Sequence, residues 1–502
     1  MNGKVWLVGA GPGDAGLFTL KGRDVLENAD VVVYDALVGE GVLSMIPENA
    51  ERIFAGKRSG HHFLKQEDTN IILFEEAQKG KKVVRLKGGD PFLFGRGGEE
   101  LELLAKNNIP FEVVPGITSA FAVPAYNGIP VTHRDFCSSV HVITGHKRAE
   151  QNYDIDFQAL VNTKGTLVFL MGIAALPDIT KGLLVAGMDP ETPAAVLEKG
   201  TTAAQRRITA PLKDLQEVCS RTVVRTPAII VVGNVVSCAS EFAWYEKLPL
   251  GGVKIVVTRP KERISELSGK LRKKGADVLE LPAIGIVPVK DMSPLHRAFE
   301  DIRMGNYDWL VFTSPNGVRI FFEELFREKD IRILAGAKIA VIGKGSEKEL
   351  LKYGIKADFI PSVYDGETLG AELAEICEEN SKILLPRAAI GNQKLPAKLS
   401  AVPGVRVDDI PIYDTVYETD PIFDIREEIG NGDIDYAVFT SASTVRGFTE
   451  SLKGTDFTKV NAVCIGKQTQ AEAEKYGMNT FMARKATLDS LVECIETACQ
   501  KG

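Results

Sequence analysis

Short runs of β-branched and aliphatic residues alternate with amphipathic stretches along almost the whole chain. The clearest in the first half are Val5–Val8, Val31–Tyr34, Lys82–Leu86, Val140–Thr144, Thr166–Met171 and Ile229–Val232. Apolar runs this short suit strands buried on both faces, and the intervening periodicity suits helices, so the pattern predicts an α/β architecture with mainly parallel strands. The pattern breaks at Ser237-Cys-Ala-Ser-Glu-Phe-Ala-Trp-Tyr-Glu-Lys-Leu-Pro-Leu-Gly-Gly252 and restarts at Val253–Thr258. Proline and glycine after a short aromatic segment mark a seam. The expected division is 1–245, a linker at 246–252, and 253–502.

The second part repeats itself. Tyr307-Asp-Trp-Leu-Val-Phe-Thr-Ser314 is echoed by Asp435-Tyr-Ala-Val-Phe-Thr-Ser441, and Ala340-Val-Ile-Gly343 by Val463-Cys-Ile-Gly466. Leu281-Pro-Ala-Ile-Gly-Ile-Val-Pro288 pairs with Ile410-Pro-Ile-Tyr-Asp-Thr-Val416 in the same way. A duplicated core alone would explain this, but hydroxyl and glycine segments recurring at strand ends favour two similar lobes around a ligand cleft.

At 502 residues the chain exceeds what one hydrophobic core usually supports. Its 44% hydrophobic and 25% charged content is ordinary for a globular protein. The net charge of −7 is spread evenly over both parts, which argues against nucleic acid as a partner; anionic ligands must be met by local basic clusters. No apolar run approaches the roughly 20 residues that span a bilayer, so no membrane association is expected. The first residues carry no secretion pattern, and seven scattered cysteines fit reduced thiols, so the expected location is cytoplasmic. No metal is expected: Cys494 and Cys499 lack ligand spacing, and His61-His62 are adjacent.

Gly9-Ala-Gly-Pro-Gly-Asp14 closes the first predicted strand, and Gly11-Pro-Gly13-Asp-Ala-Gly16 fits the G-x-G-x-x-G dinucleotide pattern, with Asp35 about 20 residues on. Against that reading, Pro12 and Asp14 interrupt the loop, and an acid there repels a pyrophosphate. A second glycine run, Val84-Arg-Leu-Lys-Gly-Gly-Asp-Pro-Phe-Leu-Phe-Gly-Arg-Gly-Gly-Glu-Glu100, has no place in a nucleotide unit. Val114-Pro-Gly-Ile-Thr-Ser119, Pro124–Arg134, Leu170-Met-Gly172, Glu198-Lys-Gly-Thr201 and Pro227–Val236 follow in order. Together, over about residues 3–240, these runs resemble the tetrapyrrole methylase family, and most closely its uroporphyrinogen-III C-methyltransferases.

The resemblance implies two lobes with S-adenosylmethionine (SAM) in the groove between them, and methyl transfer to C-2 and C-7 of uroporphyrinogen III to give precorrin-2. By position, Pro12, Gly88, Gly89, Asp90, Leu93, Thr118, Ser119, Met171 and Gly200 would line the SAM site. Glycine backbones can cup an adenosyl group, and threonine and serine offer hydroxyls. Family likeness makes Asp35 the proton acceptor and Lys57 its acid counterpart, although Asp35 could instead cap a helix and Lys57 be a solvated cation. A substrate with eight carboxylates needs cations, and Arg58, Arg85, Arg96, His133, Arg134 and Arg206 are the further candidates. A homodimer through this half is also implied by the resemblance.

Thr258-Arg-Pro260, the duplicated Phe-Thr-Ser segments and the two Ile-Gly pairs resemble uroporphyrinogen-III synthase over about residues 253–500. That likeness implies lobe one at 253–285 plus 416–502 and lobe two at 286–415. It implies cyclisation of hydroxymethylbilane with inversion of the last pyrrole, in a cleft that folds the substrate and needs no strong nucleophile. Tyr413 would donate to the departing hydroxyl, with Tyr417 the rival if the register slips. Ser346 and Thr469 would be paired cleft hydroxyls, and Ser314, Asn316, Ser441 and Ser443 would bind carboxylates. The product of this second half is the substrate of the first. Competing readings are a methylase for a later corrinoid intermediate, a nicotinamide-dependent oxidoreductase fused to a ligand-binding module, and a synthase-like sensor.

Overall fold

The computed structural model describes residues 3–56, 65–145, 155–260, 266–391, 393–417 and 425–500. The alternation read above becomes three sheets. The first is wholly parallel and five-stranded, in the order Glu51–Phe54, Val31–Tyr34, Lys82–Lys87, Lys4–Gly9, Phe111–Val114. Its central strands are apolar on both faces because helices cover both: Val5, Leu7, Val31, Val33 and Val83 join one core, and Val8, Val32, Val84 and Leu86 join another.

The second sheet runs Val140–Thr144, Thr166–Leu170, Ala228–Val232, Pro193–Glu198, Arg206–Pro211 and is mixed, with only its first pair parallel. Here the expectation of mainly parallel strands fails locally. Pro193–Glu198 and Arg206–Pro211 are joined by a short loop rather than a helix, so they pair antiparallel.

The remainder forms one nine-stranded sheet. Parallel strands flank two long ones, Asp277–Pro288 and Arg406–Tyr417. Each long strand serves two neighbours in turn. Asp277–Ile284 pairs with Lys254–Pro260, and Ile284–Pro288 then runs antiparallel against Tyr413–Tyr417. The repeated Leu-Pro and Ile-Pro segments are therefore the crossover between two half-sheets, and Tyr413 lies opposite Pro288.

The segment between the parts is folded onto its neighbours. Trp244 Nε1 donates to the Ala125 carbonyl at 2.9 Å, the Tyr245 and Tyr126 ring centroids are 5.2 Å apart, and Leu250 is fully buried in the core under the first synthase-like strands. The cores are continuous as well: Val38, Val42, Leu43 and Ile46 share one cluster with Leu279, Leu281 and Ala283.

Candidate functional site

The carboxyl ends of the first sheet's strands carry the glycine turns, where open parallel sheets present ligand sites. The two glycine runs pair directly: Gly89 N–H donates to the Gly11 carbonyl at 2.7 Å, and Gly11 N–H donates back to Gly89 at 3.2 Å. Such close approach requires glycine. A Cβ on Gly116 would lie 2.2 Å from the Gly89 carbonyl oxygen, and one on Gly88 would lie 2.5 Å from Leu37 Cβ. Gly89 itself has φ +67° and open space where a side chain would be.

Asp90 organises this edge. Its carboxylate accepts from the Phe92 and Leu93 amides at 2.8 and 3.1 Å and from the Gly116 amide at 3.0 Å. This acid, expected to line the SAM site, therefore fixes three backbone amides, tying the second glycine turn to the Pro115–Thr118 turn. Thr118 caps helix Ser119–Tyr126, its hydroxyl accepting from the Ala120 amide at 3.2 Å, and Ser119 opens that helix. Leu93 packs against the core of the second sheet, so this turn reaches across to the other lobe. From that lobe come Gly200, buried where a Cβ would meet Val123 at 2.3 Å, and Met171. Met171 holds φ +55° and is 52% exposed. An unbranched apolar side chain on a strained turn, in the open, is placed to touch something outside the core. Pro12 sits in the first turn, half-buried.

Asp35 follows the strand Val31–Tyr34. Its Oδ1 accepts from the Leu37 amide at 3.0 Å and its Oδ2 from Arg85 Nη2 at 3.2 Å. Arg85 corrects an expectation. It is buried, and it donates to Asp35, to Glu100 Oε1 at 3.1 Å and to the Leu86 carbonyl at 2.9 Å, so it holds the acid and is not open to a substrate carboxylate. Lys87, on the same strand face, donates to Glu100 Oε1 at 2.7 Å. Burial, and the neighbouring Arg85 charge, hold its ammonium below the usual lysine range despite that carboxylate. Glu100 is fully buried and also accepts from Gln66 at 3.1 Å. Sequence reasoning quoted Glu100 without a role. A buried charge demands opposite partners, and only the fold brings them together.

The expected cations divide. Lys57 and Arg58 lie outside the described residues. Arg206 is corrected: its fork closes on Glu198 with two 2.7 Å bonds and on the Val223 carbonyl at 2.8 Å, a structural clamp at the second sheet's edge. Glu198 is held below the usual carboxylate range by this arginine and the Arg225 amide, against the opposing effect of burial. Arg96 is exposed at the start of helix Gly97–Lys106 and pairs with Glu99 at 2.6 Å. His133 Nδ1 accepts from the Asp135 amide at 3.2 Å and its ring lies beside Phe136; Arg134 is exposed. One further contact was not foreseen. Tyr126 donates to Asp14 Oδ2 at 2.7 Å, and the Asp14 amide donates to Thr201 at 3.2 Å, which joins the lobes behind the first glycine turn.

In the C-terminal half, Ser314 and Ser441 occupy equivalent places, each capping the helix after its Phe-Thr strand end, Pro315–Leu325 and Ala442–Ser451. Ser314 Oγ accepts from the Gly317 amide at 2.9 Å and lies 2.9 Å from the Tyr413 hydroxyl; Ser441 Oγ lies 2.9 Å from Ser443 Oγ. The Tyr413 hydroxyl is thus tied to lobe two, and burial raises its pKa, so it stays a donor. Asn316 is half-buried on the first turn of the Ser314-capped helix. Ser346 and Thr469 correct an expectation. They are 1% and 3% exposed, because each stands on the inward face of the first turn of its helix, Lys344–Leu351 and Lys467–Glu474. Ser346 Oγ has no hydrogen-bond partner among the described residues. Arg387, missed in the sequence, is buried with a 2.7 Å bond from Nε to Asp409.

Among the described residues no group of three or more His, Cys, Asp or Glu could hold a metal ion, and no helix is long and apolar enough to cross a membrane.

Comparison with known proteins gives the two parts separately and together. A model of the tetrapyrrole (corrin/porphyrin) methylases matches residues 4–216, and a model of uroporphyrinogen-III synthase, HemD, matches residues 265–493. A relative described as porphyrin biosynthesis protein HemD, from Ruminiclostridium josui, is 46% identical over 493 residues, covering 98% of this chain and 97% of that one. Siroheme synthase 2 from Serratia proteamaculans is 51% identical over 243 residues; that match spans 48% of this chain and 51% of the relative. Among solved structures, a uroporphyrin-III C-methyl transferase from Thermus thermophilus complexed with S-adenyl homocysteine is 39% identical, with a TM-score of 0.41, over 47% of this chain and 93% of its own. A mutant uroporphyrinogen III synthase from the same organism is 18% identical, with a TM-score of 0.38, over 50% and 100%. The chain belongs to the porphyrin-biosynthesis proteins that join a tetrapyrrole methylase to a uroporphyrinogen-III synthase, and it is a two-part enzyme of tetrapyrrole biosynthesis.

Proposed function

We propose that the C-terminal half closes hydroxymethylbilane to uroporphyrinogen III with inversion of the last pyrrole, and that the N-terminal half methylates this product at C-2 and C-7 to precorrin-2. The division follows the sheets, with the methylase at 1–245 and the synthase at 253–502. The observation that carries the methylase reading is the junction of two glycine turns beside an acid held by a buried arginine. SAM supplies an electrophilic methyl group when bound. Gly89 leaves backbone open to an adenosyl group, with Gly88 and Gly200 packed on Leu37 and Val123 beside it; Thr118 and Ser119 offer hydroxyls at a helix start, and Leu93 and Met171 give apolar contact. This cradle fits SAM better than a dinucleotide, because Asp14 and Asp90 would repel a pyrophosphate.

Asp35 takes the proton that the methylated carbon must lose, and Arg85 holds its carboxylate in place. Lys57 would return a proton, and Arg58, Arg96, His133 and Arg134 remain as partners for substrate carboxylates. In the synthase, Tyr413 donates to the departing hydroxyl, and Ser314, Asn316, Ser441 and Ser443 hold the folded chain's carboxylates. A homodimer through the methylase half belongs to the same reading.

The test uses the purified full chain. With hydroxymethylbilane and no SAM, oxidation of the product should yield the type III uroporphyrin isomer; the type I isomer alone would sink the synthase assignment. Adding SAM should shift the absorption spectrum to that of precorrin-2, and no methylated product would sink the methylase assignment.

A further inference from the structure

The two parts meet through a pair of side chains that neither activity uses. Lys254 and Asp277 are register partners on neighbouring strands at one end of the synthase sheet. Lys254 Nζ donates to Glu40 Oε2 at 2.9 Å, on the methylase's first lobe, and to Glu428 Oε2 at 2.9 Å, on its own half. Asp277 Oδ2 accepts from the Ala203 amide at 3.0 Å, on the methylase's second lobe. One strand pair therefore grips both methylase lobes.

The grips fall on segments that wall the proposed SAM groove. Glu40 follows Gly39, whose backbone is pressed against the first glycine turn: a Cβ there would lie 2.4 Å from the Gly13 carbonyl oxygen. Ala203 lies three residues beyond Gly200, and the intervening Thr201 accepts from the Asp14 amide. The contacts close a ring from Lys254 to Glu40, Gly39, Gly13, Asp14, Thr201, Ala203, Asp277 and back to Lys254. Helix Glu40–Leu43 packs on strand Asp277–Pro288 within that ring, and Val42 and Leu43 share a core with Leu279 and Leu281. The two grips are partly shielded: the Lys254 side chain is 15% exposed and Glu40 38%, and Asp277 is half-buried. Removing one partner of a shielded pair costs more than removing one on a surface, because the other is left desolvated and unmatched.

We infer that Lys254 and Asp277 are positioning residues for the methylase: the synthase half straps the two methylase lobes together behind the first glycine turn and so sets the affinity of the groove for SAM. This rests on the SAM reading above. The groove spans two lobes with separate cores, so its width is a relative placement, and relative placements of lobes are free unless something fixes them. The Tyr126, Asp14 and Thr201 contacts already join the lobes, and the strap adds a second tie from behind that touches none of the residues proposed to bind the tetrapyrrole.

The experiment uses the full-length chain and four proteins: wild type, Asp277→Ala, Lys254→Met and Asp277→Asn. S-adenosylhomocysteine binding is measured by calorimetry, the KM for SAM and kcat of methyl transfer with supplied uroporphyrinogen III, and cyclisation of hydroxymethylbilane without SAM. Asp277→Ala and Lys254→Met should each weaken S-adenosylhomocysteine binding and raise the KM for SAM by about tenfold, within the usual range of coupling between sites. The kcat of methyl transfer and the cyclisation rate should stay within about twofold of wild type. Asp277→Asn should retain near-wild-type affinity, because its amide oxygen still accepts from Ala203. Wild-type affinity in both Asp277→Ala and Lys254→Met would overturn the strap alone, and so would parallel loss of cyclisation, which would mean collapse of the lobe. A wild-type chain that binds no S-adenosylhomocysteine would contradict the SAM reading, and the strap with it.

Discussion

The two halves support their proposed chemistry by different means. In the methylase, the acid proposed as the base stands on a buried ionic chain: Asp35 on Arg85, Arg85 and Lys87 on Glu100, and Glu100 on Gln66. In the synthase, the proposed donor Tyr413 rests on Ser314, a neutral helix cap, and the echoing Ser441 caps the equivalent helix. The difference follows from the chemistry. Losing a proton from carbon needs a base held in place, and buried ions hold it at a cost in desolvation. Folding a substrate that ionises readily needs only placed hydroxyls and amides. A site of the first kind should fail sharply when one member is removed, and one of the second kind should fail gradually.

The largest expected effect is at the base. Asp35→Asn should lower methyl transfer by about 10³-fold while leaving cyclisation intact, and Tyr413→Phe should do the reverse more mildly, at about 10²-fold. Steady-state assays of both activities on each variant check this, and equal losses in both activities would dissolve the contrast. Next comes the support itself. Glu100→Ala takes from Lys87 its carboxylate partner and leaves Arg85 with Asp35 as its one acid, and should cost about 3–5 kcal/mol. Ser441→Ala removes only a cap and should cost about 1 kcal/mol. Denaturant titration with each half followed by its own signal would measure the two.

Those expectations also show where the sequence was legible. The glycine turns were, because glycine itself marks them, although the atoms that exclude a Cβ at Gly88 and Gly116, in Leu37 and in Gly89 with Gly9, come from elsewhere in the chain. The α/β alternation and the duplicated lobes were as well, since strand burial writes itself as apolar runs. The partners of charged residues were not. Arg85 and Arg206 read as substrate cations, and the fold instead closes them on Glu100 with Asp35 and on Glu198, pairings that span between 8 and 50 positions. Ser346 and Thr469 read as paired cleft hydroxyls by their position in the synthase likeness, yet helix phase turns them inward. The mixed second sheet was missed because Pro193–Glu198 and Arg206–Pro211 are not among the apolar runs read above; the short loop that joins them is itself the mark of an antiparallel pair.

The smallest effect is electrostatic and sits on the first sheet's edge. Glu112 bonds to Lys4 at 2.7 Å and to Lys21, which lower its pKa to about 2 from 4.5. A carboxyl depressed on folding stabilises fully above its unfolded pKa, and that contribution is lost as pH falls through the folded one. Glu112→Gln should therefore cost under about 1 kcal/mol at neutral pH, since partly solvated pairs are screened. The difference from wild type should fade between pH 4.5 and about 2, as thermal melts across that range would show.

One measurement addresses the whole reading at once. The full chain is given hydroxymethylbilane and SAM labelled with carbon-13 in its methyl group, under reducing, oxygen-free conditions, and the tetrapyrrole is examined by NMR. Two labelled methyl groups, at C-2 and C-7 of a type III macrocycle, are expected. A type I macrocycle, an unlabelled one, or label at other carbons would contradict the proposed sequence of cyclisation and double methylation.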